Sequence, residues 1–301
     1  MTAAEIELGA VAVGAAGARH VQRCPMPPAS ANLPYHEKLV LLREQLASMR
    51  GAVVAFSAGV DSTALLHASR EALGERVVAV TADSPSLPRS ELGEARDLAA
   101  AMGVRHVVLK TDEMSRDGYR ENAADRCYHC KKELFVRVAE RRGEIAPADW
   151  AVVYGAITDD LGDHRPGHLA AAEHGVLAPL VDAGFAKDDV RRYARAAGLS
   201  VADKPSFACL SSRVPYGDRI DREKLTQIEQ AEAALRARGF AQFRVRHHGR
   251  LARVEVAPEE LELAFSMRET LGQDLQACGY TFVALDVFGY RSGAMNQMLQ
   301  P

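Results

Sequence analysis

The stretch Ala52–Ser62 reads AVVAFSAGVDS. Its first five residues are apolar without alternation, which predicts a short strand buried on both faces, the pattern of a parallel sheet. The run ends at Ser57, Ala58 and Gly59, and a helical stretch continues to Leu73 with Leu65, Leu66 and Ala72 as apolar positions. A strand that passes through small residues into a helix suits an anion. Small residues let the backbone wrap closely, and helix-start amides and the positive end of the dipole then face the charge. Ser57 and Ser62 add hydroxyl donors, and Asp61 can cap the helix or orient a magnesium ion. A plain tight turn before a capped helix is the rival reading, and Ser-x-Gly-x-Asp-Ser is more specific than that. No Lys stands where a Walker loop would carry one, so an ordinary P-loop kinase or GTPase is disfavoured.

Outward from this stretch, helices are expected at His36–Met49, Pro88–Met102 and Ala186–Ala197. Strands are expected at Arg76–Ala82, Val104–Leu109 and Trp150–Gly155, so strands and helices alternate as in a doubly wound parallel α/β sheet. Residues 112–142 read as a polar segment holding Cys127-Tyr-His-Cys130. After Lys204-Pro205 the texture changes to a helix at 222–238, strands at Phe243–His248 and Leu251–Val256 around Gly249, a helix at Glu259–Ala277 and a strand at Thr281–Asp286. The expected division is a disordered tail at 1–33, an α/β domain at 34–204 and a small α+β domain at 205–301.

The 301 residues are 48% hydrophobic and 26% charged, enough apolar material for a real core. Lys and Arg number 37 against 40 Asp and Glu, a net charge of −3. That balance counts against non-specific nucleic-acid binding. No run of ~18 apolar residues suggests a membrane span. Residues 1–33 lack the basic start and apolar block of an export signal, so a cytoplasmic enzyme is expected. Five cysteines are too few for a disulfide scaffold and suit metal or redox chemistry.

Ser57 to Ser62, SAGVDS, resembles the PP-loop of ATP pyrophosphatases, which cleave ATP between the α- and β-phosphates. The resemblance implies ATP contacts from Ser57, Ala58, Gly59, Val60, Asp61 and Ser62. The loop TADSP at 81–85 resembles the one that receives adenosine, implying roles for Asp83 and Ser84. Ala58 departs from the usual glycine and is tolerable only with a negative φ.

Further stretches resemble one branch, the LarE family of ATP-dependent sulfur transferases: RCYHCKKELF at 126–135, DDLxDxRPG at 159–167, APLVDAGFAKDDVR at 178–191, ACLSSRVPYG at 208–217 and DVFGYRSG at 286–293. That resemblance implies adenylation of a carboxylate of a pyridinium biscarboxylic acid mononucleotide, then conversion to a thiocarboxylate, in biosynthesis of a nickel-pincer cofactor. ATP and Mg2+ follow from it, as does a homo-oligomer, with Asp61 as the magnesium ligand. Cys209 aligns with a cysteine that gives up its sulfur. Alternatively Cys127, Cys130 and Cys209 hold a [4Fe–4S] cluster; this is the favoured expectation, above a zinc site or an inert pair. Cys24 and Cys278 are expected to be inert.

Arg244 and Arg246 share one face of a strand, and two guanidinium forks can grip one phosphate. A lone pair of charges is more often a solvated face, but the resemblance places matching arginines around the substrate phosphate. Glu232 and Arg291 align with the same pocket. Arg213 belongs either with that set or with Cys209, whose thiol pKa a nearby cation would lower. Asp159 and Asp160 suit metal binding or turn capping equally. The scattered histidines His67, His106, His164, His168 and His174 read as surface or cap residues. The rivals are a tRNA thiolase, an amidotransferase-type synthetase, or a non-enzymatic iron–sulfur carrier that uses the nucleotide fold as scaffold.

Overall fold

The computed structural model describes residues 28–162, 166–205 and 208–299. The readings of Cys24, His164 and residues 1–27 lie outside the described residues. Of the expected tail, residues 29–32 form a 3-10 turn whose Ser30 hydroxyl donates to the Asp182 carbonyl at 2.8 Å.

Four parallel strands, β1 (Ala52–Ala55), β2 (Val77–Asp83), β3 (Arg105–Lys110) and β4 (Ala151–Tyr154), stand in the order β3-β2-β1-β4. Successive side chains of a strand point to opposite faces. Ala52 and Val54 accordingly enter a core with helices α1 (Tyr35–Ala47), α2 (Val60–Leu73) and α3 (Arg89–Ala101). Val53 enters a second core on the other face. After the short α4 (Asp117–Arg120), that face is covered by α5 (Arg126–Glu140), α6 (Arg142–Ile145) and α7 (Gly167–Glu173). The short α8 (Pro179–Asp182) and then α9 (Lys187–Ala196) return to the first face. Because β4 lies beside β1 but on the side away from β2, the direction in which strands are added to the sheet reverses between β1 and β4. Ligands of open parallel sheets bind at such a switch point, beyond the strands' carboxyl ends.

The remaining chain folds as α10 (Arg222–Ala237) on a second sheet, β5 (Phe243–His248), β6 (Leu251–Val256) and β7 (Phe282–Leu285), antiparallel then parallel. The expected helix 259–277 is instead a 3-10 turn followed by α11 (Leu261–Ser266) and α12 (Arg268–Ala277), broken at Met267. Phe243, Val245, Val254 and Leu235 share its core. A smaller cluster of Met114, Tyr119, Leu210, Val214, Ile220, Leu225 and Ile228 ties this unit to the first. Among the described residues no helix is long and apolar enough to cross a membrane.

Candidate functional site

The turn after β1 occupies the switch point. Ala58 is buried with φ +57°, so the expectation of a negative φ at this position is corrected. A left-handed L-residue costs about 1–2 kcal/mol relative to glycine, and strain of this kind persists where the surroundings over-determine it. Gly59 is the N-cap of α2 and carries no side-chain cap, which leaves the helix-start amides to other acceptors. Val60 is buried beneath them. Ser57 Oγ and Ser62 Oγ lie 3.1 Å apart, and Ser62 Oγ donates to the Gly59 carbonyl at 3.1 Å. Asp61 does not cap the helix; both its oxygens accept from Lys187 Nζ, at 2.9 and 2.8 Å. A Cβ at Gly155 would stand 2.8 Å from the Ser62 nitrogen, so only glycine lets the end of β4 approach the start of α2 this closely.

The loop after β2 lies next to this turn. Asp83 pairs with Arg89 at 2.5 Å, and the buried Ser84 hydroxyl meets Ser86 Oγ at 2.8 Å. Asp159 Oδ2 accepts from the Lys187 nitrogen, at the start of α9, at 3.2 Å, and Asp160 Oδ2 from the Ile157 nitrogen, within its own turn, at 3.1 Å.

The segment 208–214 joins three parts of the molecule. The Leu210 nitrogen donates to the Ser86 carbonyl at 2.8 Å, binding it to the loop after β2. Tyr119 Oη and Ser211 Oγ meet at 2.6 Å, and Arg126 Nη1 donates to the Ser211 carbonyl at 3.0 Å, binding it to α4 and α5. Arg246 Nη1 donates to the Ser212 carbonyl at 3.0 Å, binding it to the second sheet.

Within the polar segment expected at 112–142, residues 126–140 are helical, and Cys127 and Cys130 are the second and fifth residues of α5. Cys127 is exposed at the surface, yet desolvation by the atoms packed around it, and then the Cys209 sulfur, raise its thiol pKa. Burial also raises Cys130, followed by Glu113 and then Cys209. The three sulfurs therefore share one electrostatic neighbourhood. Arg126 and Lys131 are the cations whose charge reaches these sulfurs, Arg126 acting on Cys127 and Cys209 and Lys131 on Cys127 and Cys130. Among the described residues, no three His, Cys, Asp or Glu side chains are gathered closely enough to hold a metal ion. Cys278 follows the end of α12, half-buried.

Arg213 is fully buried. Its guanidinium grips Glu232 through Nε–Oε1 at 2.7 Å and Nη2–Oε2 at 2.8 Å, while Nη1 donates to the Cys209 carbonyl at 3.0 Å. Arg244 and Arg246 do share a face of β5 but are not a solvated pair: they are 2% and 5% exposed. Arg246 pairs with Glu255 at 2.7 Å, and Arg244 lies 4.9 Å from the centre of the Tyr290 ring. Burial, and then the nearby Arg213 charge, lower the Arg244 pKa to about 10. Arg213 and Arg246 pair with the buried Glu232 and Glu255, and Arg253 shares Glu255 at 3.2 Å, so three arginines and two glutamates meet beside Arg244. Arg291 is exposed, its guanidinium 4.9 Å from the centre of the Phe288 ring.

Sequence reading missed Lys187, Lys204, Arg126 and Gly155. The first two arrive from more than a hundred residues away, so no local spacing signals them. Arg126 stands beside Cys127, and its adjacency to the Cys-x-x-Cys pair was the available sign.

A parallel sheet in the order 3-2-1-4 with SAGVDS at its switch point defines an adenine-nucleotide fold of the PP-loop ATP pyrophosphatase superfamily. Consistent with that class, a glutamine-hydrolyzing GMP synthase component of Methanocella arvoryzae is 27% identical over 207 residues, 64% of this chain and 66% of the relative. No family model matches. An uncharacterized protein of Synechocystis sp. is 40% identical over 270 residues, covering 87% of this chain and 98% of its own. The pyridinium-3,5-bisthiocarboxylic acid mononucleotide synthase of Lactiplantibacillus plantarum is 34% identical over 263 residues, 87% of this chain and 95% of the relative. The chain belongs to the family of that synthase, the LarE family of ATP-dependent sulfur transferases.

Proposed function

We propose that the chain uses ATP to adenylate a carboxylate of a pyridinium biscarboxylic acid mononucleotide and then replaces the activated oxygen by sulfur, as a step of nickel-pincer cofactor biosynthesis. The observation that carries this reading is the segment 208–214. It holds Cys209 between the loop after β2, through Leu210, and the buried arginine cluster, through Arg213 and Arg246. One short segment thus joins the loop we assign to the nucleotide, a cysteine and the arginine cluster we assign to the phosphate.

In this reading Ser57, Ala58, Gly59, Val60, Asp61 and Ser62 cradle the ATP phosphates, and Asp83 and Ser84 border the adenosine. The substrate carboxylate oxygen attacks the α-phosphorus and pyrophosphate leaves. Helix-start amides stabilise the charge that develops there. The Asp61 carboxylate, three-quarters buried at the mouth of the turn, is a hard oxygen donor suited to Mg2+. That ion would neutralise phosphate charge. Arg244 and Arg246 bind the substrate phosphate, with Arg213 and Glu232 setting their charge balance and Arg291 at the rim. Sulfur then attacks the acyl carbon and AMP leaves.

Two sulfur sources remain within this reading. Cys209 could attack as a thiolate; loss of its Cα proton with cleavage of its Cβ–S bond then leaves the thiocarboxylate and a dehydroalanine. Alternatively Cys127, Cys130 and Cys209 would hold a [4Fe–4S] cluster, which would supply sulfide from an open iron. Thiols are the donor type such a group takes; Cys127 is exposed and Cys130 and Cys209 are half-buried. Among the described residues no three such side chains stand close enough to form a cage, so this second source rests on donor chemistry and on the resemblance. We favour it because a sacrificial route needs only one cysteine.

We also read residues 34–204 and 205–301 as two domains and the working form as a cytoplasmic homo-oligomer without nucleic-acid partners. The deciding experiment is ATP–pyrophosphate exchange with and without the pyridinium nucleotide. Exchange that requires the carboxylate supports the enzyme; its absence leaves the rival iron–sulfur carrier.

A further inference from the structure

Lys204 stands immediately before Pro205 and five residues before Cys209, yet its side chain reaches back to the turn after β1. Its ammonium is 13% exposed and has three acceptors: the Ala58 carbonyl at 3.3 Å, Glu91 Oε2 at 2.7 Å and Glu94 Oε2 at 2.6 Å. An ammonium has three hydrogens, so this one has none left for a nucleotide. Its backbone is fixed as well, since the Lys204 nitrogen donates to the Val201 carbonyl at 3.0 Å and its carbonyl accepts from Arg191 Nη2 at 3.2 Å.

We propose that Lys204 is a positioning residue that fixes which face of the Ala58–Gly59 peptide is turned toward the phosphates; this rests on the ATP reading above. The peptide is planar and trans, so the Ala58 carbonyl and the Gly59 N–H point in opposite directions. Lys204 holds the carbonyl on its own side. The Gly59 N–H therefore points the other way, to the side assigned to the phosphates, where backbone amides would receive an anion. A flipped peptide would aim the carbonyl lone pairs at the triphosphate and repel it.

Ala58 makes the hold necessary. Glycine adopts a left-handed φ at no steric cost, while an L-residue at +57° tends to leave that region. Glu91 and Glu94, both on α3, keep the ammonium in place and balance its charge. The same lysine ties the nucleotide turn to the stretch that leads into Cys209.

The test is calorimetric titration of the full chain with ATP and, separately, with adenosine, which lacks the phosphates. Lys204→Met is expected to weaken ATP binding by about tenfold or more, the worth of one charge-assisted hydrogen bond, and to leave adenosine within about twofold. In an Ala58→Gly background the same substitution should cost less than about threefold, because glycine holds the turn unaided. Should Lys204→Met not fold, Glu91→Gln combined with Glu94→Gln keeps the lysine but frees its ammonium, and the same selective loss of ATP is expected. ATP binding unchanged within about twofold, or ATP and adenosine lost in equal proportion, overturns the positioning role and leaves a merely structural tie. A parent chain that binds adenosine and ATP equally would instead overturn the ATP reading itself, and this inference with it.

Discussion

Arg213 and Glu232 form a two-point pair, 2.7 and 2.8 Å, with the guanidinium fully excluded from solvent. Glu232 Oε1 also accepts the Val245 nitrogen at 3.1 Å, so one carboxylate joins the segment after Cys209, α10 and β5. Desolvating two such ions is expensive, and removing one partner strands the other's charge. Here the stranded charge would lie beside Arg244, whose own charge is already disfavoured by burial. Glu232→Gln keeps the shape and removes the charge. It should destabilise the fold by about 3 kcal/mol or more, seen as a lower urea midpoint. Added inorganic phosphate should restore part of the loss. Coincident unfolding curves for parent and variant would show that the pair contributes nothing net.

The nucleotide turn gives the second prediction. Ser57 is exposed at its mouth and the Asp61 side chain, though three-quarters buried, lies in the same turn, so Ser57→Ala and Asp61→Ala should both leave the fold intact. Each should sharply reduce carboxylate-dependent pyrophosphate release, because the triphosphate loses a hydroxyl donor in one case and the metal's oxygen ligand in the other. Asp61→Ala carries a second signature: it frees Lys187, which then stands beside the phosphates without a carboxylate partner. ATP affinity measured without magnesium should therefore rise, while turnover with magnesium falls. Pyrophosphate release at the parent rate in both variants would sink the PP-loop assignment.

Much of this site was legible because its parts are local. The strand-turn-helix around SAGVDS, the hairpin at 243–256 and the shared face of Arg244 and Arg246 follow from period and spacing alone. What was illegible is long-range. The φ of Ala58 cannot be read from its identity, because its left-handed state depends on surroundings supplied from elsewhere in the chain, Lys204 among them. Arg213 was expected either with the phosphate set or beside the Cys209 thiol; its two-point pair with Glu232, nineteen residues on, is a long-range contact that no local spacing signals. The helix carrying Cys127 and Cys130 was hidden by its polarity. Only Leu134, Phe135 and Val138 are buried apolar positions in its core-facing stripe, and all lie after the cysteines.

The arginine pair gives the third prediction. Arg244→Ala with Arg246→Ala should weaken the pyridinium nucleotide far more than ATP. Each sheltered charge-assisted contact is worth roughly 1.5–3 kcal/mol, and both guanidiniums are nearly excluded from water. Arg246→Ala also strands Glu255, so stability must be measured beside affinity. Comparing Arg244→Ala alone with Arg244→Lys separates charge from shape: a lysine keeps the charge but not the two-pronged fork. Equal losses for ATP and nucleotide substrate would remove the phosphate from this cluster.

The last prediction concerns the sulfur. Adenylation needs only the nucleotide turn and the substrate carboxylate, so Cys209→Ala should still release pyrophosphate while forming no thiocarboxylate. The two sources then part. If Cys209 gives up its own sulfur, product formation stops after a single turnover. The spent chain is then lighter by the mass of hydrogen sulfide, with dehydroalanine at position 209. If the three thiols hold a cluster, anaerobic protein is brown, contains iron and labile sulfide, and turns over only with added sulfide. Cys127→Ala and Cys130→Ala should then be as damaging as Cys209→Ala. Arg126 adds a further discrimination, since its guanidinium faces Cys127 and Cys209 and hydrogen-bonds Asn122 and the Ser211 carbonyl. Arg126→Met removes the positive charge that offsets negative thiolate ligands, so it should lower the iron content of anaerobic protein if a cluster is the source. Colourless protein with full activity in the Cys127→Ala, Cys130→Ala double variant would eliminate the cluster and leave Cys209 as a single-use donor.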